Sequence, residues 1–179
     1  MKLLRTIRLD PSDTFIFEPA AEPGEWAVSG AFAFWHRDPA ALESKARVAF
    51  RSGFLGLDSL GWSTLVQIVQ ADVADRAHVI DLLAQQLVRS FGAPDMGAAC
   101  AAATEEVAFA ESLCNQPSDT LIAVHRTFED GDVRESFRTL RPRQGAKPAR
   151  AFSFMDVEGE TDEPAEHVDL VGMAERENR

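Results

Sequence analysis

The stretch VHRTFEDGDVRESF, residues 124–137, holds an Asp-Gly pair between two runs rich in strand-forming residues. Asp-Gly is a strong signal for a two-residue hairpin turn. A turn at Asp130 and Gly131 fixes which residues of the two runs face each other. Three facing pairs are then chemically matched: Phe128 with Val133, Val124 with Phe137, and Arg126 with Glu135. Matched pairs of this kind stabilise antiparallel strands, so the stretch predicts an antiparallel hairpin.

Outward from this hairpin, short apolar or alternating runs predict further strands at residues 3–9, 14–18, 25–35, 63–71 and 149–155. Helices are predicted after Asp38, Asp72 and Asp95, because aspartate at these positions accepts hydrogen bonds from the first free N–H groups of a helix. Strands joined by hairpins, with helices grouped between them, favour an α+β fold: a largely antiparallel sheet with two or three helices packed on one face.

The run at residues 25–35 alternates between bulky and small side chains, which predicts one face on which another element packs closely. The small positions are Ala27, Ser29, Ala31 and Ala33. We expect the alanine-rich helix after Asp95 to lie against this face.

The chain has 179 residues and a formal net charge of −11. We expect one domain at residues 1–155 and an acidic tail at residues 156–179, where nine acidic residues meet two arginines. An acidic surface repels phosphate backbones and anionic lipids, so the sequence predicts no nucleic-acid or membrane partner. No apolar run resembles a secretory signal or a membrane span, and two cysteines do not make a disulfide framework, so we expect a cytoplasmic protein.

The segment CAAATEEVAFAESLC places Cys100 and Cys114 on one predicted helix, about 21 Å apart along its axis. That separation excludes a disulfide or a shared metal ion. The cysteines are expected to be buried small apolar residues. No dinucleotide, phosphate-loop or metal motif occurs, so we predict neither a cofactor nor a metal.

Weak candidates for acid–base or anion-binding chemistry are scattered along the chain: His36, Arg37, Glu105, Glu106 and His125. The first two sit where a predicted strand meets a predicted helix. A small enzyme or metabolite-binding domain, with a site between sheet and helices, would require at least two of these residues to converge in one pocket.

Residues 53–62, GFLGLDSLGW, form a glycine-punctuated apolar segment. If exposed, it would make a contact patch or the lip of a pocket; if buried, it is core. The residues concerned are Phe54, Leu55, Leu57, Leu60 and Trp62. Within the tail, Val168, Leu170 and Met173 would anchor a short amphipathic segment. These features favour a non-catalytic accessory or binding protein acting through protein–protein contacts, with another protein or with itself as a homo-oligomer.

The stretches MKLLRTIRLDPSDTFIFE, GEWAVSGAFAFW and FRSGFLGL together resemble an uncharacterised proteobacterial family of short proteins of unknown function. The resemblance covers most of residues 1–155 and leaves the tail outside. It implies a bacterial cytoplasmic protein, and it brings no activity and no site residues.

Overall fold

The computed structural model describes residues 1–142 and 155–158. Within these residues eight strands form one sheet in the order β4-β3-β2-β1-β5-β6-β7-β8, and every neighbouring pair is antiparallel. The strands are β1 (Lys2–Ile7), β2 (Trp26–Val28), β3 (Phe54–Gly56), β4 (Trp62–Ser63), β5 (Leu65–Gln70), β6 (Leu121–Glu129), β7 (Asp132–Pro142) and β8 (Met155–Glu158).

In the part of the chain that the structure describes, four α-helices accompany the sheet: α1 (Ser12–Ile16), α2 (Ser44–Ser52), α3 (Val73–Ser90) and α4 (Met96–Ser112). Two short 3₁₀ helices cover Ala31–Phe34 and Pro39–Ala41. Helices α3 and α4 pack on each other, and α4 lies against β1 and β2. The fold is therefore α+β with a largely antiparallel sheet, as the sequence predicts.

The hairpin of β6 and β7 has the register read from the sequence, with Phe128 facing Val133, Val124 facing Phe137 and Arg126 facing Glu135. Asp130 and Gly131 both have positive φ, 54° and 88°. Positive φ at both central residues is the geometry of the favoured two-residue hairpin turn, which aspartate and glycine adopt most easily. The prediction is confirmed.

The sheet is strongly curled. Strands β3 and β7 are five positions apart in the sheet, which would separate them by roughly 24 Å if the sheet were flat. The rings of Phe54 in β3 and Phe137 in β7 nevertheless lie with their centroids 6.2 Å apart. The curl brings the ends of the sheet toward each other around a core that includes Leu4, Val66 and Ile68, all 0% exposed.

The helix ends follow the local signals. Asp72 accepts a hydrogen bond from the Asp75 backbone N–H, and Asp95 accepts one from Ala98, so both cap their helices. After α3, Gly92 has a φ of 76°, the left-handed conformation that glycine adopts without steric cost.

One predicted strand is wrong and another is too long, because tertiary contacts outweigh their local pattern. Residues 14–18 lie mostly in α1, where buried Asp13 accepts hydrogen bonds from the backbone N–H of Thr64 at 3.1 Å and from its hydroxyl at 2.6 Å. The strand predicted at residues 25–35 ends at Val28, because Gly30 turns into the left-handed region with φ 79°. Ala31 and Ala33 therefore lie in a 3₁₀ helix, while Ala27 remains on β2, against which α4 packs.

The helix predicted after Asp38 begins later than expected. Asp38 caps only the short 3₁₀ helix Pro39–Ala41, by accepting the Ala40 N–H at 2.9 Å. The chain then extends through Leu42 and Glu43 before α2 begins at Ser44. Burial of Leu42, which is 6% exposed, accompanies this break.

Candidate functional site

Arg126 in β6 is the most deeply buried charged residue among those described, with 1% of its surface exposed. Its Nη1 donates to the carbonyl oxygens of Phe50 at 3.0 Å and Gly53 at 2.7 Å. Its Nη2 donates to the carbonyl oxygen of Ser29 at 2.5 Å and to the Ser29 hydroxyl at 2.9 Å. Its Nε donates to Glu135 at 2.7 Å. A guanidinium has five N–H donors, so every donor of Arg126 is used within the protein.

The charge of Arg126 is balanced by Glu135, whose side chain is 18% exposed. The Ser29 hydroxyl also donates to this carboxylate. Burial lowers the pKa of Arg126, and the adjacent Glu135 carboxylate opposes that shift. Paired in this way, the guanidinium stays charged at neutral pH.

We call Arg126, Glu135 and Ser29 together the arginine clamp. Glu106 of α4 lies beside the arginine clamp. The Glu106 carboxylate accepts the backbone N–H of Gly30 at 3.1 Å. Burial raises the pKa of Glu106, and the hydrogen bond from Gly30 opposes the shift. The negative charge of Glu135 raises it further.

The arginine clamp joins three elements that lie far apart in sequence: the end of β2, the end of α2 and the β6–β7 hairpin. Since all five donors of Arg126 are occupied, its guanidinium has none left for a ligand. The clamp is therefore structural, and it fixes the position of α2 against β6.

An open groove lies between α2 and β6, with a volume of about 400 Å³. Its lining residues are Pro39, Ala40, Arg47, Phe50, Arg51, His125, Arg126, Thr127 and Phe128. No acidic side chain is among them. We call this surface the α2–β6 groove. In a chain whose net charge is −11, it is a local concentration of positive charge.

The two arginines on the α2 side of the groove are exposed and one helical turn apart. The Nε of Arg47 donates to the carbonyl oxygen of Leu42 at 2.7 Å, and the terminal nitrogens of Arg47 make no hydrogen bond to the described residues. Arg51 makes no ion pair with the described residues. At the far end, Phe128 is 42% exposed and faces Val133, which is 38% exposed. The groove thus combines free cationic donors with an apolar end.

A second cavity, of about 220 Å³, lies against a different face of α2. Its apolar lining includes Phe34, Leu55, Leu60, Trp62 and Phe91, and its charged residues are Glu18, Arg37 and Lys45. We call it the aromatic pocket.

The structure does not bring the five acid–base candidates together. His125 lines the α2–β6 groove, Arg37 lines the aromatic pocket, and Glu106 is held against Gly30. His36 and Glu105 are exposed. Neither of the two cavities is lined by more than one of these five residues.

The apolar segment at residues 53–62 is mostly core. Phe54 and Leu57 are 0% exposed, so they are unavailable to a partner. Leu55, Leu60 and Trp62 contribute to the aromatic pocket instead. The tail residues Val168, Leu170 and Met173 lie outside the described residues.

Sequence reasoning did not identify Arg126, Arg47 or Arg51 as site residues. A signal existed for the first: the hairpin register places Arg126 and Glu135 on the face that also carries Val124 and Phe137. An opposite-charge pair on an apolar face indicates a buried ion pair. The two arginines of α2 carry no such signal, because only the packing of α2 against β6 makes them part of a groove.

Both cysteines are free thiols; Cys114 is buried, as expected, whereas Cys100 is only half-buried. Cys114 is buried at 4% exposure, and burial raises its pKa to about 11. Among residues 1–142 and 155–158, no three His, Cys, Asp or Glu side chains are grouped closely enough to hold a metal ion. Over the same residues, no helix is long and apolar enough to span a membrane.

Comparison with known proteins gives one match, and it agrees with the resemblance seen in the sequence. No curated protein matches the chain, and no solved structure matches it either. Residues 1–156 match a family described as "Family of unknown function (DUF6505)". The match spans most of the chain and, among the described residues, every strand and helix that precedes β8. The chain belongs to this family of unknown function.

Proposed function

We propose that the protein is a non-catalytic binding protein that holds an acidic segment of a partner protein in the α2–β6 groove. The observation that carries this proposal is the basic lining of the groove: Arg47, Arg51 and His125 border it without an acidic neighbour in the lining. Arginine is well suited to this task because its planar donors pair with carboxylates in a bidentate manner.

The shape of the groove supports a protein segment as the ligand. The groove is open, and Phe128 and Phe50 add apolar surface beside the arginines. A short acidic segment with one apolar side chain would satisfy both features. An extended polyanion such as nucleic acid would instead meet the rest of a surface with net charge −11.

The dispersal of the acid–base candidates supports a binding role over catalysis. Catalysis by acid–base chemistry needs a nucleophile or base in contact with a group that orients it. The buried ionisable groups of the arginine clamp bond each other and backbone carbonyls. Two cysteines without a disulfide framework are typical of a reducing compartment, and we propose a location in the bacterial cytoplasm.

Fluorescence anisotropy with a fluorescein-labelled hexaglutamate peptide tests the proposal, with hexaglutamine as the uncharged probe. We expect the acidic peptide to bind and the uncharged peptide not to bind. Replacing both groove arginines, Arg47→Ala with Arg51→Ala, should weaken binding by about tenfold, equivalent to about 1.4 kcal/mol.

Arg89→Ala is the matched control, because Arg89 is an exposed helical arginine outside the groove. It should leave the affinity for hexaglutamate unchanged. Equal binding by wild type and the double variant would overturn the proposal. Light scattering of the same samples identifies the partner as a second copy of the chain if the mass doubles.

A further inference from the structure

The aromatic pocket is a second cavity, separate from the α2–β6 groove. Residues Lys45, Ala46 and Ala49 of α2 face it, whereas Arg47, Phe50 and Arg51 face the groove. A ligand in one cavity would therefore not compete directly for the side chains of the other.

The walls of the pocket are preformed. The Phe34 ring lies 5.1 Å from the Trp62 ring and 5.3 Å from the Phe50 ring, measured between centroids. Two glycines also approach the Trp62 ring closely: a Cβ at Gly53 would lie 2.7 Å from the ring, and a Cβ at Gly30 would lie 3.2 Å from it. Only glycine leaves room for these approaches, so the backbone holds the indole in place.

The charged residues of the pocket leave one cation unbalanced. Lys45 and Glu18 neutralise each other across an ion pair of 3.1 Å. The guanidinium of Arg37 is exposed and has no ion pair with the described residues. An aromatic and aliphatic cavity with one free guanidinium is complementary to an apolar body that carries a single carboxylate.

The size of the cavity limits the ligand. Its volume of about 220 Å³ lies below the roughly 300–1,000 Å³ of pockets that take drug-sized molecules. Phe34 and Trp62 are 5% and 9% exposed, so each presents only a small part of its ring to this space, which suits a single ring or a short branched chain.

We propose that the aromatic pocket binds a small monocarboxylic acid with an aromatic or branched aliphatic body. The apolar body lies against Trp62 and Phe34, and the carboxylate pairs with Arg37. This site adds a small-molecule ligand to the protein-binding role proposed above and does not depend on it.

Titration of the full chain with phenylacetate tests this site, with phenylacetamide as a neutral ligand of nearly the same shape. The readout is the indole N–H resonances in a ¹H–¹⁵N NMR spectrum, in which Trp62→Phe identifies the Trp62 signal. We expect phenylacetate to shift the Trp62 resonance in a saturable manner and to bind at least tenfold more tightly than phenylacetamide.

Two variants separate the roles of charge and shape. Arg37→Ala should weaken phenylacetate binding about tenfold and leave phenylacetamide unaffected, and Ala46→Leu should weaken both ligands by filling the cavity. Arg134→Ala, a change to an exposed arginine outside the pocket, is the control and should change neither affinity. Unchanged phenylacetate affinity in Arg37→Ala, or a Trp62 resonance that does not move, would overturn the proposal.

Discussion

Arg126 and the pair Arg47 and Arg51 border the same groove, yet their environments are opposite. Arg126 is 1% exposed, and all five of its N–H donors form hydrogen bonds to carbonyl oxygens, a hydroxyl and a carboxylate of its own chain. Arg47 and Arg51 are exposed, and their terminal nitrogens bond to none of the residues that the structure describes. Residue type alone therefore does not identify a binding residue. The donors left unused by the fold are the ones that a partner can engage.

The largest expected effect comes from removing the clamp. Arg126→Met leaves Glu135 as a half-buried carboxylate without its guanidinium partner and removes donors from three carbonyl oxygens. Breaking a buried ion pair in this way costs about 3–5 kcal/mol of the free energy of unfolding, measured by urea denaturation. Arg126→Lys should also be strongly destabilising, because an ammonium has three donors on one nitrogen and cannot span the five bonds.

A double variant distinguishes an unpaired charge from lost packing. Arg126→Met combined with Glu135→Leu removes both charges, so it should recover part of the stability lost in Arg126→Met alone. A double variant that is less stable than the single variant would contradict the view that Glu135 is the main uncompensated charge.

A smaller loss is expected from Ser29→Ala. The Ser29 hydroxyl accepts from Arg126 at 2.9 Å and donates to Glu135, and hydrogen bonds to charged groups contribute about 1.5–3 kcal/mol each. We expect a loss at the lower end of that range in urea denaturation, because the carbonyl oxygen of Ser29 still accepts from Arg126. Ser136→Ala on the exposed face of β7 is the control, and an equal loss in both variants would argue against the clamp.

The pH dependence of stability tests Glu106. Burial raises its pKa above the ordinary value of 4.5, so the folded protein binds more protons than the unfolded chain between pH 4.5 and the folded pKa. The contribution of Glu106 to stability is therefore complete below about pH 4.5 and is lost as the pH rises through the folded pKa.

Glu106→Gln keeps an acceptor for the Gly30 N–H and removes the ionisation. Urea denaturation between pH 4 and pH 8 should show a smaller loss of stability with rising pH than in wild type. Glu105→Gln, a change to the exposed neighbour, should reproduce the wild-type profile. Identical profiles for Glu106→Gln and wild type would show that the carboxylate is solvated in the native state.

The smallest effect on stability is expected on the other side of the groove. Arg51→Ala removes an exposed side chain without an ion pair to the described residues, so the free energy of unfolding should change by less than about 0.5 kcal/mol. A loss comparable to that of Arg126→Met would mean that Arg51 also stabilises the fold. It would contradict the distinction between the structural Arg126 and the exposed arginines of α2.

Local chemistry in the sequence determined several elements of this protein. Asp130-Gly131 set the hairpin register, because few residues adopt positive φ at two consecutive positions. Asp72, Asp95 and Gly92 set helix ends, because capping needs only a side chain and the backbone within a few residues. Each of these signals acts within one turn, so the neighbouring residues suffice to read it.

Only the tertiary structure decided the two cavities and the backbone partners of Arg126 in the clamp. Arg126 donates hydrogen bonds to the backbone carbonyl oxygens of Ser29, Phe50 and Gly53. Every residue has a backbone carbonyl, so the sequence does not show which ones accept these bonds. The curl of the sheet brings β2, α2 and β6 together. These elements are far apart in the sequence, so no local sequence pattern predicts their contact. For the same reason the packing of α2 against β6 makes Arg47 a residue of the groove, and the tertiary position of the segment between the two 3₁₀ helices makes Arg37 a residue of the aromatic pocket.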